Sequence, residues 1–126
     1  MERLVLIVDD NAKRVDGLAT ALRVDGIVAE AYQTAEAFLA NVSLVPDQRT
    51  CLVVSHNLPG MTGLELQQYL RQHGITIPVV FIAEDALAST FVQAARAGAV
   101  GFFEGSFDDS ALLTRVQEVL DVGYFW

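Results

Sequence analysis

The feature that most constrains the fold of this 126-residue chain is a regular alternation of short apolar runs with segments of helical periodicity. Runs without a polar face are typical of parallel strands that are covered on both sides, and the first run has this character throughout. Strands that alternate with helices predict an α/β domain, in which right-handed crossovers place helices on both faces of one parallel sheet. The five predicted strands are residues 4–8, 27–31, 50–54, 79–82 and 99–103.

The predicted helices begin and end at residues that are typical of helix termini. Asn11 and Thr34 have side chains that cap a helix N-terminus, and Gly26 is placed to end the first helix. The remaining helices are predicted over residues 63–72, over about 87–97, and after a cap at Asp108 or Asp109.

The composition indicates one compact domain over residues 1–126. Apolar residues make up 52% of the chain and charged residues 19%, which is unlike a disordered segment. The formal net charge of −8 argues against nucleic-acid binding by this domain, because phosphate backbones require a basic surface. The single cysteine, Cys51, excludes a disulfide framework, and no apolar stretch is long enough to span a bilayer. We therefore expect a cytoplasmic protein without a membrane partner, either one domain or the N-terminal module of a longer chain.

Residues with a chemical role are expected at the carboxyl ends of the strands, where open α/β sheets place their active sites. The third strand runs into a Pro-Gly loop before a second glycine opens a helix, and the residue at the strand end is Ser55. Asp9 and Asp10 follow directly on the first strand. Adjacent carboxylates there indicate a hard cation or proton chemistry. The alternative is that one of them caps the first helix while the other is solvated.

Three motifs together resemble the receiver domain of two-component response regulators. They are the acidic pair after the first strand, the loop 58–65 (Leu-Pro-Gly-Met-Thr-Gly-Leu-Glu), and the Ala-Gly-Ala turn at 97–99. The resemblance extends over essentially the whole chain and is nearest to receivers that precede a helix-turn-helix DNA-binding domain. It implies a flavodoxin-like (βα)5 fold with strand order 2-1-3-4-5. It also implies signal transduction in which a histidine kinase transfers a phosphoryl group to an aspartate of the domain.

Several positions that carry phosphoryl chemistry in the family hold other residues here. The acceptor aspartate corresponds to Ser55, the switch Thr or Ser to Ala83, the lysine to Gly105 and the proline after it to Ser106. The aromatic switch position corresponds to Phe102, which lacks a hydroxyl. Nucleophile and phosphoryl-holding groups are thus lost together, which indicates a receiver-like domain that does not undergo aspartyl phosphorylation.

The same substitutions weaken the expected magnesium site. With Ser55 in place of a carboxylate, the remaining candidate ligands are Asp9, Asp10 and the carbonyl of Asn57. Because Mg²⁺ accepts water ligands, weak binding is compatible with this set, but we expect no dedicated metal site and no cofactor. Three further acidic residues on the predicted rim either add to the negative field or are solvated: Glu84, Asp85 and Glu104.

Three functions remain open from the sequence. The leading one is a protein-interaction domain of a transcription regulator, with an effector domain or a second copy docking on the fourth helix, fifth strand and fifth helix. The fourth helix, about 87–97, has one charge and is apolar around much of its circumference. The alternative is a small-ligand sensor with a rim pocket near Ser55 and Gly105. The third, a serine hydrolase, is disfavoured because Ser55 and His56 are neighbours on a strand and point to opposite faces. We expect no enzyme activity.

Overall fold

The computed structural model describes residues 3–42, 49–84, 88–104 and 109–122. Within them, five β-strands alternate with five α-helices. The strands are β1 (Arg3–Val8), β2 (Val28–Tyr32), β3 (Arg49–Ser55), β4 (Val79–Ala83) and β5 (Ala99–Glu104). The helices are α1 (Ala12–Val24), α2 (Ala35–Asn41), α3 (Gly63–Gln72), α4 (Ala88–Arg96) and α5 (Asp109–Val122). None of these helices is long and apolar enough to cross a membrane.

The five strands form one parallel sheet in the order β2-β1-β3-β4-β5. This confirms the doubly wound, flavodoxin-like α/β fold and the strand order that the sequence predicts. The order reverses direction between β1 and β3, which is the point where open α/β sheets form a crevice at their carboxyl edge. The register pairs Val8 with Val54 and Ser55 with Ile82, so the ends of β1, β3 and β4 lie side by side.

Successive side chains of β1 enter two different hydrophobic clusters, one on each face of the sheet. Leu4, Leu6 and Val8 belong to one cluster, whereas Val5 and Ile7 belong to the other. The first cluster is completed by side chains of α2, α3 and α4, and the second by side chains of α1 and α5. Burial on both faces explains why residues 4–8 of this strand are all apolar.

The helix N-termini confirm the caps predicted at Asn11 and Thr34 and add one that the sequence analysis did not identify. Asn11 Oδ1 accepts the Arg14 amide at 3.1 Å, and Thr34 Oγ1 accepts the Ala37 amide at 3.0 Å. At α3, Thr62 and Glu65 form a reciprocal capping box. Helix α5 begins at Asp109, and the other candidate for its cap, Asp108, lies outside the described residues.

The predicted strand and helix boundaries are correct to within one residue at most termini. The second strand was predicted to begin at Ile27, but it begins at Val28, because the chain at Ile27 is still held to α1 by its amide, which donates to the Leu22 carbonyl at 3.0 Å. The start predicted for the fourth helix, Leu87, lies outside the described residues.

Helix α4 is apolar but little buried. Ala94 is its one fully buried side chain, whereas Phe91 is 50% exposed and Val92 is 41% exposed. The apolar character that the sequence analysis noted in this helix therefore lies largely at the surface.

Candidate functional site

The carboxyl edge of the sheet brings together most of the positions that the sequence singled out. Asp9 follows β1 directly, Ser55 ends β3 and Ala83 ends β4. The register places these three residues on neighbouring strands at the same edge. Glu104 pairs with Ala83 across β4 and β5.

Ser55 is completely buried, so its hydroxyl is not presented to solvent. Its Oγ accepts a hydrogen bond of 3.3 Å from the amide of Asn57. The Nδ1 atom of His56 has no hydrogen-bond partner among the described residues, so this imidazole does not activate the serine. The arrangement lacks the hydroxyl–base contact that a serine nucleophile requires.

The loop after Ser55 is fixed from several sides. The His56 amide donates to the Ile82 carbonyl at 2.8 Å, and the Met61 amide donates to Glu36 Oε2 of helix α2 at 2.9 Å. Gly63 lies so close to the end of β3 that a Cβ atom there would be 2.3 Å from the Ser55 carbonyl oxygen. The second glycine of the motif therefore permits α3 to start directly against the strand.

The buried carboxylate at this edge is Asp9, which is 2% exposed. Its two oxygens accept from the Arg14 side chain, Oδ2 from Nε at 2.5 Å and Oδ1 from Nη2 at 2.9 Å. Oδ1 also accepts from the Asn11 amide at 3.0 Å. Paired, charge-assisted contacts of this kind compensate the loss of hydration that a buried carboxylate suffers.

Arg14 also contacts a second acidic residue. Its Nη1 lies 3.3 Å from Glu84 Oε1, and the Glu84 amide donates to Asn57 Oδ1 at 2.9 Å. The hydrogen bond to Asp9 raises the pKa of the Arg14 guanidinium above its ordinary value. We call Asp9, Arg14 and Glu84 the Arg14 cluster. The sequence analysis missed it, and the signal that could have identified it is an arginine in the first turn of the helix that follows the acidic pair.

The remaining predicted residues are not drawn into this cluster. Asp10 is exposed, and Ala83 is buried at the end of β4. Gly105 and Ser106 lie outside the described residues. A cavity of about 430 Å³ lies at the opposite end of the sheet, between α3 and α4, and Gln67, Arg71 and Arg96 are among the residues that line it.

Aromatic rings connect the loop after β3 to the surface of α4. The ring centroids of His56 and Phe81 are 5.7 Å apart, and those of the stacked rings Phe81 and Phe102 are 5.5 Å apart. The Phe102 ring also meets the Phe91 ring edge-on, with centroids 5.0 Å apart. Phe102 is half-buried, and it contacts both the buried ring of Phe81 and the exposed ring of Phe91. The predicted switch position thus lies between the carboxyl edge and the exposed face of α4.

The comparison with known families agrees with this geometry. A family model, the response regulator receiver domain, matches residues 5–117. The chain belongs to the response regulator receiver family. The resemblance inferred from the acidic pair and the Pro-Gly loop is confirmed.

The relatives of this receiver include response regulators and a transcriptional regulatory protein. It is 31% identical to the response regulator protein TodT of Pseudomonas putida over 117 residues, 93% of this chain and 51% of TodT. It is 36% identical to the transcriptional regulatory protein FixJ of Rhizobium meliloti over 114 residues, 90% of this chain and 54% of FixJ. The solved structure of the response regulator StyR superposes with a TM-score of 0.86 at 34% identity, over 97% of this chain and 61% of that chain. The receiver spans about half the length of the curated relatives it matches.

Receiver domains typically bind Mg²⁺ at the phosphorylation site, and the residues of this receiver do not fit that ion as they are arranged. Both oxygens of Asp9 are engaged by Arg14, and the neighbouring strand ends in Ser55, not in a carboxylate. Among the described residues no group of three or more His, Cys, Asp or Glu side chains is placed to hold a metal ion. A cation at Asp9 would therefore lie beside the positively charged Arg14 guanidinium.

Proposed function

We propose that this receiver is a protein-interaction module of a two-component-type signalling or transcription regulator and that it acts without aspartyl phosphorylation. The observation that carries the proposal is Ser55. It occupies the end of β3, where the family's acceptor aspartate falls, and its hydroxyl is buried and accepts the Asn57 amide. We propose further that the domain is cytoplasmic and is one module of a longer regulator.

The chemistry of the edge supports this reading. An aspartate carboxylate becomes an acyl phosphate directly, whereas a serine needs a base within hydrogen-bond reach. Ala83 offers no hydroxyl to a phosphoryl oxygen, and by sequence Gly105 supplies no ammonium group. An active-site nucleophile and two groups that would bind its product are therefore replaced together. On this basis we propose that the domain is not an enzyme and has no cofactor.

The surface that we propose for a protein partner is the α4–β5 face, defined by Phe91, Val92 and Ala95 of α4 and by Ala99 and Phe102 of β5. Two of its large apolar side chains are about half exposed, and exposed apolar surface of this kind is typical of docking sites. The partner is an effector domain or a second copy of the receiver. The net charge of −8 supports the view that this domain itself binds neither nucleic acid nor an anionic membrane.

The alternative that the rim near Ser55 and Gly105 binds a small ligand has less support. The Ser55 hydroxyl is fully buried, so a ligand at the surface does not reach it. Gly105 and Ser106 lie outside the described residues.

A phosphorylation assay tests the proposal directly. The purified protein is incubated with radiolabelled acetyl phosphate, and separately with beryllofluoride while amide chemical shifts are recorded by NMR. We expect no label and no shift changes around β3 and β4, because no carboxylate stands at position 55. A receiver that has an acceptor aspartate serves as the positive control. Stoichiometric labelling of the chain would overturn the proposal.

A further inference from the structure

The carboxyl edge already contains a cation of its own. The Arg14 guanidinium binds both oxygens of Asp9, at 2.5 and 2.9 Å, and the side chains of the two residues are 17% and 1% exposed. Forked contacts of this geometry are among the strongest hydrogen bonds that a protein makes. The pair is therefore unlike an exposed ion pair on a protein surface, which contributes little.

The same guanidinium reaches the turn after β4. Its Nη1 lies 3.3 Å from Glu84 Oε1, and the Glu84 amide donates to Asn57 Oδ1 in the loop after β3. Arg14 is itself placed by the Asn11 cap at the start of α1. The Arg14 side chain thus links the segments that follow β1 and β4, and the Glu84 amide connects the second of these to the loop after β3.

We propose that Arg14 replaces the divalent cation at this edge: its guanidinium excludes metal ions from Asp9 and holds the turn after β4 in place. The inference rests on the proposed function in one respect, since a receiver that does not transfer a phosphoryl group has no use for a removable cation. It goes further by naming the residue that takes over the positioning of Glu84.

Charge and geometry both support the exclusion of divalent cations from Asp9. A divalent cation at Asp9 would have to compete with a group that carries positive charge and already donates to both carboxylate oxygens. If the guanidinium stayed nearby, it would repel the incoming ion. The Asn11 amide also donates to Oδ1 at 3.0 Å, so this oxygen has less capacity to bind a cation. The neighbouring Asp10 is exposed and offers one carboxylate in water, which is a weak site for a hard cation.

The test is Mn²⁺ binding to a set of matched variants, with the metal alone as the probe. Ser55→Asp restores a carboxylate at the strand end. It is compared with the double variants Ser55→Asp/Arg14→Met and Ser55→Asp/Lys13→Met. Lys13 is exposed in the same turn of α1, so its replacement removes the same charge without touching Asp9. Binding is measured by calorimetry and by paramagnetic broadening of the Asn11 amide.

We expect the Arg14 double variant to bind Mn²⁺ at least about tenfold more tightly than Ser55→Asp or the Lys13 double variant, because a unit charge a few ångströms away is removed. Equal affinity in all three variants would overturn the proposal, as would tight binding to the wild-type protein. Either result leaves the phosphorylation assay unaffected, so failure of this inference and failure of the proposed function are distinguishable.

Hydrogen exchange of the Glu84 amide, in EDTA, provides a second measurement that does not depend on restoring a metal site. This amide donates to Asn57 Oδ1 at 2.9 Å, and we expect the bond to slow its exchange. We expect it to exchange several times faster in Arg14→Met than in the wild type, and at an unchanged rate in Lys13→Met. Circular dichroism and thermal melting verify that both variants are folded. Unchanged exchange of Glu84 in folded Arg14→Met would contradict the positioning role.

Discussion

At the scale of single residues, Gly63 shows how closely the strand and the helix of the site approach each other. A Cβ atom at this position would lie 2.3 Å from the carbonyl oxygen of Ser55 and 2.8 Å from its carbonyl carbon. Both are backbone atoms, which cannot move aside as the end of a flexible side chain can. The Pro-Gly loop motif therefore has a packing reason at its second glycine.

Gly63→Ala is expected to destabilise the protein by about 1–3 kcal/mol, the usual range for overpacking a close contact. Equilibrium unfolding in urea, followed by circular dichroism, measures the change. Gly17→Ala is the matched control, because Gly17 lies within α1 and a Cβ atom there meets nothing within 4 Å. That substitution is expected to stabilise by about 0.5–1 kcal/mol through helix propensity. Equal effects of the two substitutions would contradict this account of the motif.

The residues of the site differ in how far the sequence predicts them. The position of Ser55 at the strand end follows from the loop motif, and Asp9 follows from the acidic pair. Arg14 was not predicted, because its role depends on a rotamer that folds back over the first turn of α1 onto a carboxylate five residues earlier. A contact between α1 and Glu84 requires the tertiary arrangement of β1 and β4, which periodicity does not encode.

At the scale of elements, α4 and β5 form the surface most suited to a partner. Phe91 meets Phe102 edge-on at 5.0 Å and is still 50% exposed. An aromatic side chain in this position provides a large contact area for a second protein.

Phe91→Ser is expected to weaken binding to an effector domain, or self-association, by about tenfold or more, because aromatic anchors contribute strongly to interfaces. Sedimentation velocity over a range of concentrations measures self-association, and calorimetry measures effector binding. Val24→Ser is the control, since Val24 is 81% exposed at the end of α1, away from this face. If both substitutions weakened association equally, the α4–β5 face would not be the docking surface.

Most of the elements were predicted well because they bury a regular pattern of apolar side chains. Strand β2 lies at an edge of the sheet, and three of its five residues are exposed. Its predicted start differed by one residue because the Ile27 amide is still bonded to the Leu22 carbonyl of α1, a contact that an apolar pattern does not reveal.

At the scale of the whole molecule, the two hydrophobic clusters lie on opposite faces of the central strands, and Cys51 of β3 belongs to the cluster on the side of α1 and α5, with no exposed surface. Burial raises the pKa of its thiol to about 12. Thiolate is the reactive form, so the native protein presents almost none at neutral or mildly alkaline pH.

Labelling of Cys51 is therefore expected to report global unfolding. In the folded protein its reaction with a thiol reagent at pH 8 is expected to be slower by a factor of about 10³ or more than in urea, because β3 is exposed only when the sheet opens. The chain has one cysteine, so the signal has a single source. Rapid labelling of the native protein would show that the centre of the sheet opens locally.

Helix α4 differs from this rigid centre, because Ala94 is its one fully buried side chain. Little apolar contact has to be given up when such a helix shifts, so its position is set by a small free-energy difference. A partner that docks on it will order and repack the helix as well as cover it. The heat-capacity change of association should then be more negative than the area buried in a rigid interface predicts. Repacking of α4 would in that case be one step of the binding reaction.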